Sequence, residues 1–119
     1  MGGGIIMRKF FKIIFVGFVF VFVTLGANAN EILGKWKTEG GETALISKCG
    51  GEFCIVLKTG TYKGQNIGKV KAEGAKYKGT VRDPADDKTY TGNISVAGDN
   101  LKMQGCIAIF CKTQKWTRM

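Results

Sequence analysis

The sequence contains no histidine, and it has one proline and two serines. Without imidazole, the commonest general base and neutral-pH switch is missing. Neither Ser47 nor Ser95 stands in the G-x-S-x-G turn that exposes a nucleophilic serine. There is no C-x-x-C pair, so thioredoxin-type redox chemistry has no centre. Beyond residue 30, apolar residues do not recur at helical spacing, which argues against amphipathic helices. These absences predict a protein that is not an enzyme and uses no cofactor.

What is present starts with a leader. Arg8, Lys9 and Lys12 form a basic cluster, Ile13 to Leu25 is almost wholly apolar, and Ala-Asn-Ala follows at 27–29. That order marks a secretory signal peptide, here residues 1–29 and helical by expectation. The apolar run is shorter than the 18 or more residues that read as a membrane-spanning helix, so no stable span is expected after cleavage. The expected mature protein, 30–119, is one small domain in the periplasm or outside the cell.

Removing three leader cations leaves 15 basic against 9 acidic side chains, a net charge of +6. Such a balance suits anionic partners. An exported protein seldom meets nucleic acid, so the expected anions are components of the cell envelope. A periplasmic lysozyme inhibitor is a further reading of a small exported β-protein. It is disfavoured because lysozymes are commonly basic and would be repelled.

The mature chain reads as short strands separated by turns. Seven punctuation points, at 39–42, 49–52, 60–66, 73–76, 83–88, 97–100 and 107–110, separate eight expected strands. These are 33–38, 43–49, 53–59, 67–72, 77–82, 89–96, 101–106 and 111–118. Tyr77, Gly79 and Val81 alternate with Lys78, Thr80 and Arg82; Tyr90, Gly92, Ile94 and Val96 alternate with Thr89, Thr91, Asn93 and Ser95. One wet and one dry face predicts an antiparallel sheet over a core. Short connections predict an up-and-down β-barrel, which leaves no sticky edge. An eight-stranded barrel is filled by side chains or holds one small ligand; at this length a filled or nearly filled interior is expected.

All four cysteines lie in two C-x4-C pairs, Cys49/Cys54 and Cys106/Cys111. Export favours disulfides. In a meander, alternate connections lie at opposite ends. The two pairs flank the second and seventh connections, so they stand about a strand length, roughly 20 Å, apart. Bridged cysteines need Cα atoms within about 7 Å. The expected pairing is therefore Cys49–Cys54 and Cys106–Cys111, and the same geometry argues against a single four-cysteine zinc site. Asp83, Asp86 and Asp87 crowd one turn but match no calcium-loop pattern.

Five segments, GKWKT (34–38), KCGGEFC (48–54), VRDPADDKTYTGNI (81–94), LKMQGC (101–106) and CKTQKWTRM (111–119), carry a family likeness. Together they resemble the exported bacterial family called domain of unknown function 2147. That family brings no catalytic residues with it. More distantly, Gly34-x-Trp36 and Arg118 resemble the lipocalin-type (calycin) signature. In it, an arginine of the last strand covers a tryptophan of the first at the closed end. The resemblance implies a lipocalin-like barrel closed by Trp36, Arg118 and Trp116.

One turn is apolar. Ile107-Ala108-Ile109-Phe110 sits between the last two cysteines, at the end away from Trp36 and therefore at the mouth. The loops 39–42, 59–66 and 82–89 lie there too. An exposed apolar tip marks a contact with a ligand, partner or membrane; the alternative is a lid tucked over the opening. Ile107, Ile109 and Phe110, with Tyr62 and Tyr90, are the candidate ligand-binding residues. The expected occupant is a small apolar or amphipathic molecule, or else an anionic envelope component meets the surface.

Overall fold

A computed structural model of the chain describes residues 31–119. The expected leader lies outside the described residues. Eight strands follow in order: β1 Gly34–Lys37, β2 Thr43–Cys49, β3 Glu52–Leu57, β4 Asn66–Glu73, β5 Lys76–Asp83, β6 Lys88–Ala97, β7 Asn100–Ile107 and β8 Phe110–Arg118. Each pairs antiparallel with the next, and β8 returns to β1, so the meander closes into a barrel. The ends shift from expectation by one or two residues. The third strand, for example, stops at Leu57, whose N–H and C=O bond Gln65 and Gly64 and so close the following loop.

Alternation decides which side chains enter. Phe53, Ile55 and Leu57 of β3 are buried, as are Tyr77 and Val81 of β5 and Leu101 and Met103 of β7. Their neighbours along each strand face solvent, so one period-2 pattern builds both the core and a wet outer wall.

Such a small barrel needs strongly bent strands, and glycine supplies the bend. Gly79, Gly92 and Gly105 stand directly opposite one another across β5, β6 and β7. At Gly79 the β4 backbone comes so close that a Cβ would collide with the Lys69 carbonyl oxygen and stand 2.7 Å from Val70 Cα. Val81 and Tyr90 pack into the space left at Gly92 and Gly105.

The seam between β1 and β8 has two register pairs, Trp36 with Arg118 and Lys37 with Thr117. Trp36 is fully buried and donates its indole N–H to the Ile32 carbonyl at 2.9 Å. The Arg118 guanidinium lies 4.2 Å from the Trp36 ring centre. It also donates to the carbonyls of Glu31 (2.9 Å), Leu33 (3.2 Å) and Gly98 (3.2 Å). One side chain thus ties the entering segment and the β6–β7 turn across the barrel floor. Gly34 takes φ +123°, which a residue with a Cβ rarely adopts, so the glycine of G-x-W is a backbone requirement.

Candidate functional site

The floor is closed, and the opposite end opens. Trp36, Ile46, Ile55, Val70, Ile94 and Leu101 are each nearly or fully inaccessible. Above them a cleft of about 270 Å³ opens at the mouth. Leu57, Ile67, Val81, Met103 and Trp116 beneath it are themselves nearly inaccessible, so the interior is nearly filled and the open space is at the mouth. Of the glycine row, Gly105 lines the cleft, packed against Tyr90 and Val81.

Leu57, Ile67, Val81, Met103 and Trp116 form the apolar walls. Ile67 joins them because the register of β3 with β4 shifts between Ile55 and Val56. Tyr62 and Tyr90, both expected near a ligand, stand among the lining residues. Ile107, Ile109 and Phe110 do not. Their tip stays in solvent, with Ile109 86% and Phe110 74% exposed, so it is not a lid folded over the opening. Ala108 at its apex takes φ +54°. Positive φ is uncommon in a residue other than glycine, and the turn has no Asn, Asp or Gly to ease it.

The disulfides are Cys49–Cys54 and Cys106–Cys111. Cys106 and Cys111 are direct register partners on β7 and β8, so the bridge clamps the hairpin that carries the tip. Each bridge closes a short loop, worth about 2 kcal/mol in the chain-entropy picture.

Polar groups at the mouth are mostly engaged. Thr38 Oγ1 donates to the Glu42 carboxylate at 2.8 Å, and the Glu42 N–H donates back to Thr38 Oγ1 at 3.1 Å. Arg82 pairs with Asp87 at 2.9 Å and donates to Gln65 at 3.0 Å. Asp83 accepts from the Ala85 N–H at 3.0 Å, the self-bonding typical of a turn aspartate. The Trp116 indole N–H donates to Gln114 at 2.9 Å. Lys112 differs. It is exposed at the edge of the cleft, and its ammonium makes no hydrogen bond or ion pair with another described residue. Among the described residues, no group of three or more acidic, cysteine or histidine side chains is placed to hold a metal ion.

Lys112 and Gln114 are lining residues that the sequence reading did not pick out. The signal for them was parity: counting back by twos from buried Trp116 passes Gln114, Lys112 and Phe110.

A family model described as uncharacterized protein conserved in bacteria (DUF2147) matches residues 34–118. The chain belongs to this family. The match spans the barrel from the first residue of β1 to the last of β8, so this eight-stranded architecture is that of the DUF2147 domain here. No curated protein and no solved structure matches significantly. Two disulfides in a small protein of a bacterial family fit an exported protein. Among the described residues no helix is long and apolar enough to cross a membrane.

Proposed function

We propose that this DUF2147 protein is a non-catalytic, lipocalin-like binder of a small amphipathic molecule, working in the periplasm or outside the cell. The observation that carries this reading is a largely apolar cleft open at the mouth, with the exposed, unpaired ammonium of Lys112 at its edge. The tail of the ligand lies against Ile67, Val81, Met103 and Trp116. Its head, a carboxylate or similar anion, meets Lys112. At about 270 Å³ the cleft falls just below the about 300–1,000 Å³ of ordinary ligand pockets. The occupant is therefore small, or leaves its head outside.

Native mass spectrometry of protein purified without detergent tests for a retained ligand. A fluorescent fatty-acid probe and a neutral apolar probe test the chemistry. Both should bind, and Lys112→Gln should weaken the fatty acid about tenfold, or about 1.4 kcal/mol, while sparing the neutral probe. A protein that retains nothing and binds neither probe has a mouth that serves another purpose.

A further inference from the structure

Both signs of charge stand at the mouth end, Glu39, Glu42, Asp83, Asp86 and Asp87 with Lys58, Lys63, Arg82, Lys88 and Lys112. Below the mouth, the outward positions of β4, β5, β7 and β8 carry Lys69, Lys71, Lys76, Lys78, Lys102 and Lys115 with Glu73; Arg82, also outward on β5, pairs with Asp87, and the Glu39 carboxylate accepts from the Lys115 N–H at 2.9 Å. Between them, the outward residues of β6 are Thr89, Thr91, Asn93 and Ser95, polar and uncharged.

Two pairs of lysines face each other directly across neighbouring strands, Lys71 with Lys78 and Lys102 with Lys115. Like charges in that arrangement are destabilising. Glu73 approaches Lys78 at 3.7 Å. The side chains of Lys71, Lys102 and Lys115 have no such partner among the described residues. A wall built for solubility alone does not require this repulsion, since scattering the same lysines opposite Thr or Ser would avoid it.

A shallow groove of about 120 Å³ crosses the wall, lined by Lys76, Asn93, Ser95, Lys102, Gln104 and Thr113. Register sets Asn93 opposite Gln104, Ser95 opposite Lys102, and Gln104 opposite Thr113. These side chains make no hydrogen bond with other described residues. Free amides and hydroxyls supply donors and acceptors for sugar hydroxyls, and ammonium groups supply charge-assisted bonds to acids. Neighbouring strands lie about 4.8 Å apart, and same-face residues along a strand about 6.7 Å apart, a grid that meets repeated acidic groups on a chain.

We propose that the outer wall from β5 to β8 binds an anionic glycan, a saccharide chain bearing phosphate or carboxylate groups. The groove offers a lipid surface no exposed apolar side chain; the large exposed ones are Ile107, Ile109 and Phe110 at the tip and Met119 at the C-terminus. It offers a nucleic acid no arginine, the residue suited to bidentate phosphate contacts. The surface is separate from the cleft and does not depend on what the cleft holds.

The test uses the purified protein with five probes at two salt concentrations: polygalacturonate, phosphorylated mannan, dextran, inorganic polyphosphate and phosphatidylglycerol vesicles. At least one acidic glycan should bind, and which one does identifies the acid. Dextran should not bind, and polyphosphate and vesicles should bind at least tenfold more weakly than that glycan. The Lys102→Gln/Lys115→Gln double variant should lose glycan affinity tenfold or more. Its melting temperature should stay level or rise, because a repulsion has gone. The Asn93→Ala/Gln104→Ala variant should lose glycan affinity but keep whatever polyphosphate binding exists. Polyphosphate or vesicles binding as tightly as the glycans, no glycan binding at all, or glycan binding unmoved by both double variants would each overturn the proposal. The fatty-acid probe should be unaffected by either variant, so the two binding readings fail separately.

Discussion

Arg118 and Trp36 are register partners on the last and first strands, and the guanidinium stands 4.2 Å from the indole ring centre. The contact sits on the narrowest seam of the barrel. It joins a cation–π attraction to hydrogen bonds from one charged group to three carbonyls. Arg118→Ala should therefore lower stability by about 2 kcal/mol or more. Arg118→Lys should recover little, because an ammonium lacks the planar fork that reaches several carbonyls. Trp36→Ala should cost about 3–5 kcal/mol through lost packing. Thermal unfolding followed by circular dichroism measures all three, and an Arg118→Ala protein as stable as the parent would show that the seam does not depend on this residue.

The two bridges should respond separately to removal. Cys106→Ser/Cys111→Ser should destabilise by about 2 kcal/mol in the entropy picture and leave the barrel folded. A non-reducing peptide map should show Cys49 joined to Cys54 and Cys106 to Cys111 only. A peptide linking Cys49 to Cys106 is incompatible with this strand order.

Tyr77 gives the barrel an alkaline limit. Burial pushes its hydroxyl above the usual phenol value; a backbone hydrogen bond with Ile32 pulls it partly back, and the nearby Glu31 charge pushes it up again. Below about pH 10, the ordinary phenol value, folded and unfolded chains both hold the proton and the contribution is fully present. As pH rises further, the unfolded chain releases the proton first, so stability falls until the folded hydroxyl titrates as well. Tyr77→Phe should flatten this decline. The difference between parent and variant stability, measured by denaturant titration from pH 8 to 11, checks it. A constant difference across that range refutes the assignment.

Phe110 is exposed at the tip and lies two residues from Lys112 on the same side of β8. If it guides an apolar ligand into the cleft, Phe110→Asp should weaken fatty-acid binding by about 1 kcal/mol or more. It should shift the melting temperature little, as surface changes usually do. Unchanged binding would leave the tip without a part in ligand capture, and loss of fold would make it structural.

Much of the barrel was legible in the chain because short-range rules decided it. Alternation in Tyr77–Arg82 and Thr89–Val96 set which side chains enter. Turn residues set the strand count. The count set the parity of the connections, and parity set the disulfide pairing. The tip was legible as an anomaly, since apolar residues stood where a turn wants Asn, Asp or Gly.

The cleft was not legible, because an empty volume depends on how several strands bend together. The row of Gly79, Gly92 and Gly105 reads in sequence as three separate small residues. Only pairing places them side by side, where the β4 backbone, Val81 and Tyr90 pack against them beneath the mouth. The lysine wall is of the same kind. Lys102 and Lys115 are thirteen residues apart in the chain and directly opposed across two strands. Their repulsion follows from register, a property of paired strands that neither strand carries alone.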